Sequence, residues 1–171
     1  MKFLIAGLGS IGRRHFRNLV QLGHKDITLL RSHKSTLPDD ELAGYPVETD
    51  LEKALAGRPD AVIISNPSSM HLPVALVAVN AGCHIFLEKP VAHSHYGTQE
   101  LLQAVELKKV IAAVGFQFRF HPGLQAIHDL IQRGRLGKVI SASASWGEFL
   151  PGWHPWEDYR QSYAARQDLG G

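Results

Sequence analysis

A short apolar strand running straight into three spaced glycines limits what this chain can fold into more than any other feature. Phe3 to Ala6 is apolar, and Gly7, Gly9 and Gly12 follow as G-x-G-x-x-G. That pattern belongs at the turn between the first strand and first helix of a dinucleotide-binding βαβ unit. Gly7 would allow the tight turn, Gly9 would let the backbone approach a pyrophosphate, and Gly12 would let the helix pack closely on the strand. The helix is expected to begin near Ser10. Ser10 and Ile11 then present free N–H groups and the positive dipole end to a phosphate. Arg13 and Arg14 in the first turn carry the wrong sign for that dipole, a mismatch that a nearby anion or solvent would relieve.

The motif alone also describes an ordinary glycine-rich turn, and its context is what favours a cofactor loop. The following segment is amphipathic (Ile11, Phe16, Leu19, Val20), and a further strand, Ile27–Leu30, comes at once. A signal peptide fits poorly, because glycines break the apolar run and Arg13, Arg14 and His15 follow it. Further strands are expected at Ala61–Ile64, His84–Leu87 and Val110–Val114, with a short extended piece near Pro46–Glu48. Helices are expected at Ile11–Leu22, Leu51–Leu55, Leu72–Ala81 and Tyr96–Lys108, with Asp50 as an N-cap and Gly23 and Gly82 as stops. Ser35 to Gly44 reads as a loop or a short irregular helix. The alternation predicts an α/β fold, a doubly wound parallel sheet covered on both faces.

Beyond Val114 the pattern changes. Leu124–Arg133 reads as an amphipathic helix and Val139–Phe149 as a long strand, ahead of an aromatic, aperiodic tail. The organisation expected is a dinucleotide-binding domain over 1–118 and the start of a second, α+β domain over 119–171.

Composition sets outer limits. A net charge of +2 is too small to indicate nucleic acid or an anionic membrane as partner. No apolar run approaches the roughly 20 residues of a membrane span. The single cysteine, Cys83, excludes an internal disulfide framework and fits a reducing, cytoplasmic setting, as a buried inert thiol. Ten histidines invite a metal site, but no Cys/His spacing matches one, so no metal is expected.

Polar residues at the carboxyl ends of the strands are the next candidates, since ligands of open parallel sheets bind there. Where an NAD-binding fold usually carries an acid after its second strand, this chain reads Arg31-Ser32-His33-Lys34. Arg31, Ser32 and Lys34 could hold a 2′-phosphate, which makes NADP the preferred cofactor and NAD the alternative. A solvated basic loop is the plainer reading. Ser65, Asn66, Pro67 and His71 end the next strand and could touch the dinucleotide; Ser68 and Ser69 serve equally as a helix cap. Glu88 and Lys89 follow the strand His84–Leu87, ahead of Pro90, which restricts Lys89 to extended geometry. A lysine beside a nicotinamide could stabilise an alkoxide. The aromatic residues Trp146, Phe149, Trp153, Trp156 and Tyr159 could stack on a sugar or form a core or interface cluster.

Taken together, GLGSIGRRH, NPSSMH, EKP and VGFQFRFHP resemble the Gfo/Idh/MocA family of oxidoreductases, over essentially the whole chain. The resemblance implies a Rossmann domain followed by an α/β domain with an open antiparallel sheet. It implies NAD(P)-dependent hydride transfer at a hydroxyl-bearing carbon of a sugar, cyclitol or nucleotide-sugar-like substrate. Lys89 takes the role of the family's lysine, contacting both substrate and cofactor. Gln117 becomes a cofactor-side candidate, and Arg119 and Trp153 substrate-side ones. The resemblance also implies that the Asp/His acid/base motif lies beyond Gly171, so that this chain is truncated and inactive alone. The strand edge near 139–149 would then be exposed or paired, and a full-length form would assemble as a homo-oligomer through its C-terminal domain. A reading of a different class is a catalytically silent dinucleotide-binding or assembly module. Both require dinucleotide binding, and they differ in whether Lys89 acts on a substrate.

Overall fold

In the computed structural model, residues 1–32, 37–153, 155 and 158–171 are described, with the backbone alone at 153. The chain forms two compact units, one of residues 1–115 and 160–171, the other of residues 116–159.

The first unit is built on six parallel strands: β1 (Phe3–Ala6), β2 (Ile27–Leu30), β3 (Val47–Glu48), β4 (Ala61–Ile64), β5 (His84–Leu87) and β6 (Ala112–Val114). Their order is β3-β2-β1-β4-β5-β6. The central strand β1 pairs in register with both neighbours, Phe3 facing Ile27 on one side and Ala61 on the other. The order reverses between β1 and β4, so a crevice opens at their carboxyl ends, where this fold class binds ligands.

Four helices cover the sheet: α1 (Ser10–Gln21), α2 (Leu51–Ala56), α3 (Ser68–Asn80) and α4 (Thr98–Lys108). Side chains alternate along each strand, so the central strands feed two cores. Leu4 and Ala6 join Val62, Ile64, Val74, Ala78 and Leu87 on one face. Phe3 and Ile5 join Phe16, Leu19, Ile27 and Leu29 on the other. Burial on both faces explains why β1 is apolar at every position. Asp50 caps α2 as expected, accepting a hydrogen bond from the Lys53 N–H at 2.9 Å. Cys83 is buried, and burial pushes its thiol up, as an inert core residue requires.

Several boundaries differ from the sequence expectation. α3 begins four residues earlier than expected, at Ser68, and carries Pro73 inside it. Pro67 takes the N-cap position, and its carbonyl accepts from the Met70 N–H. α4 begins at Thr98 rather than Tyr96, behind Gly97. β6 is shorter than expected, because it is an edge strand paired only with β5. Ahead of it the Ile111 N–H donates to the His84 ring instead of to a strand.

The second unit contains a 3-10 turn, Gln117–Phe120, then α5 (Pro122–Gln132) and α6 (Leu150–Trp153). The long strand expected over Val139–Phe149 does not form. A strand is defined by its ladder, and among the described residues this segment has no partner. Its apolar members stay in solvent, Ile140 at 91% and Trp146 at 75% exposure. Trp146 meets Phe118 edge-on at 5.3 Å, and Phe149 is exposed. Trp156 and the Trp153 side chain lie outside the described residues.

Candidate functional site

The three glycines of the first turn differ in what each position demands. Gly7 sits at φ +97°, and a Cβ there would lie 2.5 Å from the Asn66 nitrogen. At Gly12 a Cβ would fall 1.9 Å from the Gly7 carbonyl oxygen and 2.8 Å from the Ser65 hydroxyl. Gly9 differs from both. Its backbone is extended, φ −73° and ψ −167°, which any residue adopts, and a Cβ would meet nothing within 4 Å. Neither conformation nor packing demands glycine at position 9. It is also the N-cap of α1, and no side chain caps that helix. The first-turn amides of α1 therefore lie at its positive dipole end without a side-chain cap, a place that can accept a phosphate.

Internal bonds hold this turn. Ser65 is buried, and its hydroxyl donates to the Gly7 carbonyl at 2.9 Å, with Ala6 O at 3.3 Å. These bonds brace the turn from within. His71 is likewise buried rather than presented to the crevice. Its Nδ1 lies 2.8 Å from the Pro90 carbonyl and its Nε2 2.8 Å from that of Asn66. The imidazole thereby ties the segment after β4 to the segment after β5. The Asn66 amide oxygen is buried without a hydrogen-bond partner among the described residues. A buried polar atom left unpaired beside the glycine turn is what a ligand-binding edge presents. The Ser68 hydroxyl pairs with that of Tyr163, which also donates to the Gly170 carbonyl at 3.1 Å.

At the end of β5, Glu88 is buried and Lys89 exposed. His15, on the second turn of α1, donates from Nε2 to Glu88 Oε1 at 2.8 Å, and its ring sits edge-on to Phe86. Burial would raise the Glu88 carboxyl. The His15 hydrogen bond and charge, with the backbone N–H and charge of Lys89, outweigh burial and hold it below its usual range. Glu88 therefore fastens the helix of the glycine turn to the strand that carries Lys89.

The end of β2 carries an unexpected charge network. Arg13, assigned to solvent or an anion from its sequence position, is 1% exposed. Its guanidinium donates to the carbonyls of Leu8, Leu37 and Pro38 and to the carboxylates of Asp39 and Glu41. Arg31 pairs through NH1 with the same Asp39 oxygen at 2.8 Å, and Arg17 pairs with Glu41 at 2.7 Å. The Arg31 hydrogen bond, joined by Arg13, holds the Asp39 carboxyl below its usual range; Arg17 and then Arg13 do the same for Glu41. Arg31 thus already carries one carboxylate partner at the end of β2. Ser32 beside it is exposed, and Lys34 lies outside the described residues.

Gln117 and Arg119 fall in the second unit, on its 3-10 turn, where the Arg119 carbonyl accepts from the Gln125 side chain at 3.2 Å. Arg119 lines a shallow depression with Phe116, Phe118 and Leu124. Among the described residues no group of three His, Cys, Asp or Glu side chains could hold a metal ion, and no helix is long and apolar enough to cross a membrane.

Sequence reasoning missed Arg13, Asp39 and His15. The signal for the first two was present: a cation at a helix start, and the acidic run Asp39-Asp40-Glu41. Nothing in sequence spacing indicated that the two would meet.

Residues 1–116 match the family model described as "Oxidoreductase family, NAD-binding Rossmann fold". The chain belongs to the Gfo/Idh/MocA oxidoreductase family. Among Gfo/Idh/MocA-related proteins, it is 32% identical over 140 residues to a 4-carboxy-2-hydroxymuconate-6-semialdehyde dehydrogenase of Sphingobium sp., covering 80% of this chain and 44% of that one. The myo-inositol 2-dehydrogenase of Lactobacillus plantarum superposes with a TM-score of 0.72 at 26% identity, covering 82% of this chain and 43% of the other. The WlbA dehydrogenase of Bordetella pertussis, solved in complex with NADH and UDP-GlcNAcA, gives 0.70 at 26% identity, covering 81% and 41%. The chain thus spans less than half the length of these relatives.

Proposed function

We propose that this chain is the cofactor-binding part of an oxidoreductase that moves hydride between a nicotinamide dinucleotide and a hydroxyl-bearing carbon of a sugar, cyclitol or nucleotide sugar. Gly9 is the observation that carries the reading. It is glycine where the protein's own backbone and packing would accept any residue, so the space beside it is kept for something else. A pyrophosphate at the bare start of α1 fits that space. Residues 1–118 hold the cofactor in this reading, and 119–171 begin the substrate-side domain.

When bound, the nicotinamide accepts or supplies the hydride. The chain's own groups do the rest. Lys89, exposed at the carboxyl end of β5, would donate a hydrogen bond to the substrate oxygen and stabilise the negative charge on it. Glu88 and His15 fix the backbone that carries Lys89. NADP is the preferred cofactor, supported by Arg31 and Ser32 standing where an NAD-binding fold usually places an acid. The sugar-like substrate class is supported by relatives named for inositol and UDP-sugar substrates. A cytoplasmic location and self-association belong to the same proposal.

Calorimetric titration with NADPH and NADH tests it. Both are expected to bind, NADPH more tightly. Gly9→Val is expected to abolish binding of both while leaving the melting temperature close to the parent's, and Lys89→Ala to keep binding of both. Failure of the parent to bind either nucleotide would overturn the reading.

A further inference from the structure

Arg31 is 92% withdrawn from solvent, yet its Nε has no hydrogen-bond partner among the described residues. Its NH1 is held at 2.8 Å by Asp39 Oδ1, an oxygen that the Arg13 NH2 also reaches at 3.1 Å. One carboxylate thus bridges two buried guanidiniums, and that carboxylate is 55% exposed. The charges alternate along a chain, Arg31, Asp39, Arg13, Glu41 and Arg17, each in contact with the next. Arg13 is further anchored on the Leu8 carbonyl, inside the glycine turn. The network therefore joins the end of β2 to the glycine turn, and among the described residues its solvent-facing link to Arg31 is Asp39.

We propose that Asp39 sets how strongly this chain discriminates NADPH from NADH, by occupying the Arg31 guanidinium for which a 2′-phosphate must compete. The proposal rests on the dinucleotide-binding reading above and on Arg31 as the phosphate ligand. An anionic phosphate arriving at Arg31 meets the Asp39 carboxylate at short range. It must share the guanidinium or displace the carboxylate, and it is repelled by the carboxylate in either case. A ribose bearing only hydroxyls meets no such repulsion and can donate to the exposed carboxylate. Asp39 therefore works against the phosphate and never against the hydroxyl. It does the work of the acid usually found at the end of the second strand, from a loop position several residues on. A second consequence concerns shape: Arg13 has four further acceptors, so neutralising Asp39 frees Arg31 without unfastening the loop.

Asp39→Asn is the informative change, because it keeps the oxygen acceptor and removes only the charge. Dissociation constants for NADPH and NADH would be measured on the parent, Asp39→Asn, Arg31→Met and the double variant. In Asp39→Asn the NADPH constant is expected to fall about tenfold, and NADH to stay within about twofold or weaken. In the Arg31→Met background the same change is expected to leave the NADPH/NADH ratio unmoved, since the competed group is gone. Asp39→Ser provides a second test should the asparagine variant melt early. An unchanged ratio in Asp39→Asn and Asp39→Ser, with both nucleotides still binding, overturns the role of Asp39 and leaves the dinucleotide-binding reading standing. An equal ratio change with and without Arg31 also overturns it, because the effect would then be general charge. Binding of neither nucleotide by the parent overturns both.

Discussion

Leu4, Ile5, Val62 and Ile64 on the central strands of the first unit have no surface left in water, while Leu124, Ile127, Leu130 and Ile131 on α5 of the second keep 42–50% of theirs. The strands, buried on both faces, are apolar at every position, and the helix carries its apolar residues at a 3.6-residue period. The difference lies in what stands opposite. Each face of the parallel sheet meets helices that the same stretch of chain supplies, so pattern and partner come together in sequence. In the second unit, among the described residues, the apolar stripe of α5 has a pattern and no buried side chain to match it. A periodic stripe therefore specifies a helix and which side of it is apolar. It does not specify that the side is covered.

The sharpest way to break this comparison is a matched pair of truncations. Leu4→Ala is expected to destabilise the first unit by about 2–5 kcal/mol, the cost of lost transfer energy plus a cavity in a packed core. Ile127→Ala, at a half-exposed helical position, is expected to stay within about 0.5 kcal/mol. Denaturant midpoints read at a common m-value would show it. Equal costs would mean that the α5 face is buried in solution.

The glycine turn offers a second contrast, of somewhat smaller size. Gly12→Val drives a Cβ into the Gly7 carbonyl and the Ser65 hydroxyl, both fixed by their own bonds. It is expected to cost about 1–3 kcal/mol, the range for overpacking a tight contact. Gly9→Val should cost little stability and all of the binding. Thermal melts of the two variants beside their titrations separate the glycine the fold needs from the glycine a ligand needs. A large loss of stability in Gly9→Val would remove that distinction.

How far the sequence reaches can be followed at the same places. β1 and the glycine turn were legible because a buried parallel strand, a tight turn and a close helix approach each demand particular residues within twelve positions. Asp50 was legible because an N-cap acts within one turn of itself. Arg13 and Asp39 were not, because their meeting depends on a loop folding back across 24 or more residues, and charge carries no periodicity. His71 was read as facing a ligand because its position along the chain puts it near the crevice. Only the fold shows that both ring nitrogens are spent on backbone carbonyls. The strand expected over 139–149 failed for the reason that α5 stays exposed: local pattern cannot supply a ladder partner.

The smallest effect expected concerns acid, and it tests whether the His15–Glu88 link belongs to the stable unit. Glu88 is held below its usual range in the folded chain, so the folded state binds the proton less readily than the unfolded state does. The stability it contributes is then fully present above the unfolded carboxyl value of about 4.3 and is lost as pH falls from there through the lower folded value. Asp39 and Glu41 shift in the same direction and give the parent the same acid dependence through the Arg network. Glu88→Gln removes one of these contributions and leaves the other two. The variant is expected to be less stable than the parent near neutral pH, with the gap closing below about pH 4 as the parent's own Glu88 takes up its proton. Denaturant midpoints for both proteins from about pH 7 down to about pH 3.5 would trace the closing. A gap that stays constant over that range would mean that packing around Glu88, rather than its charge on His15, joins α1 to the strand carrying Lys89.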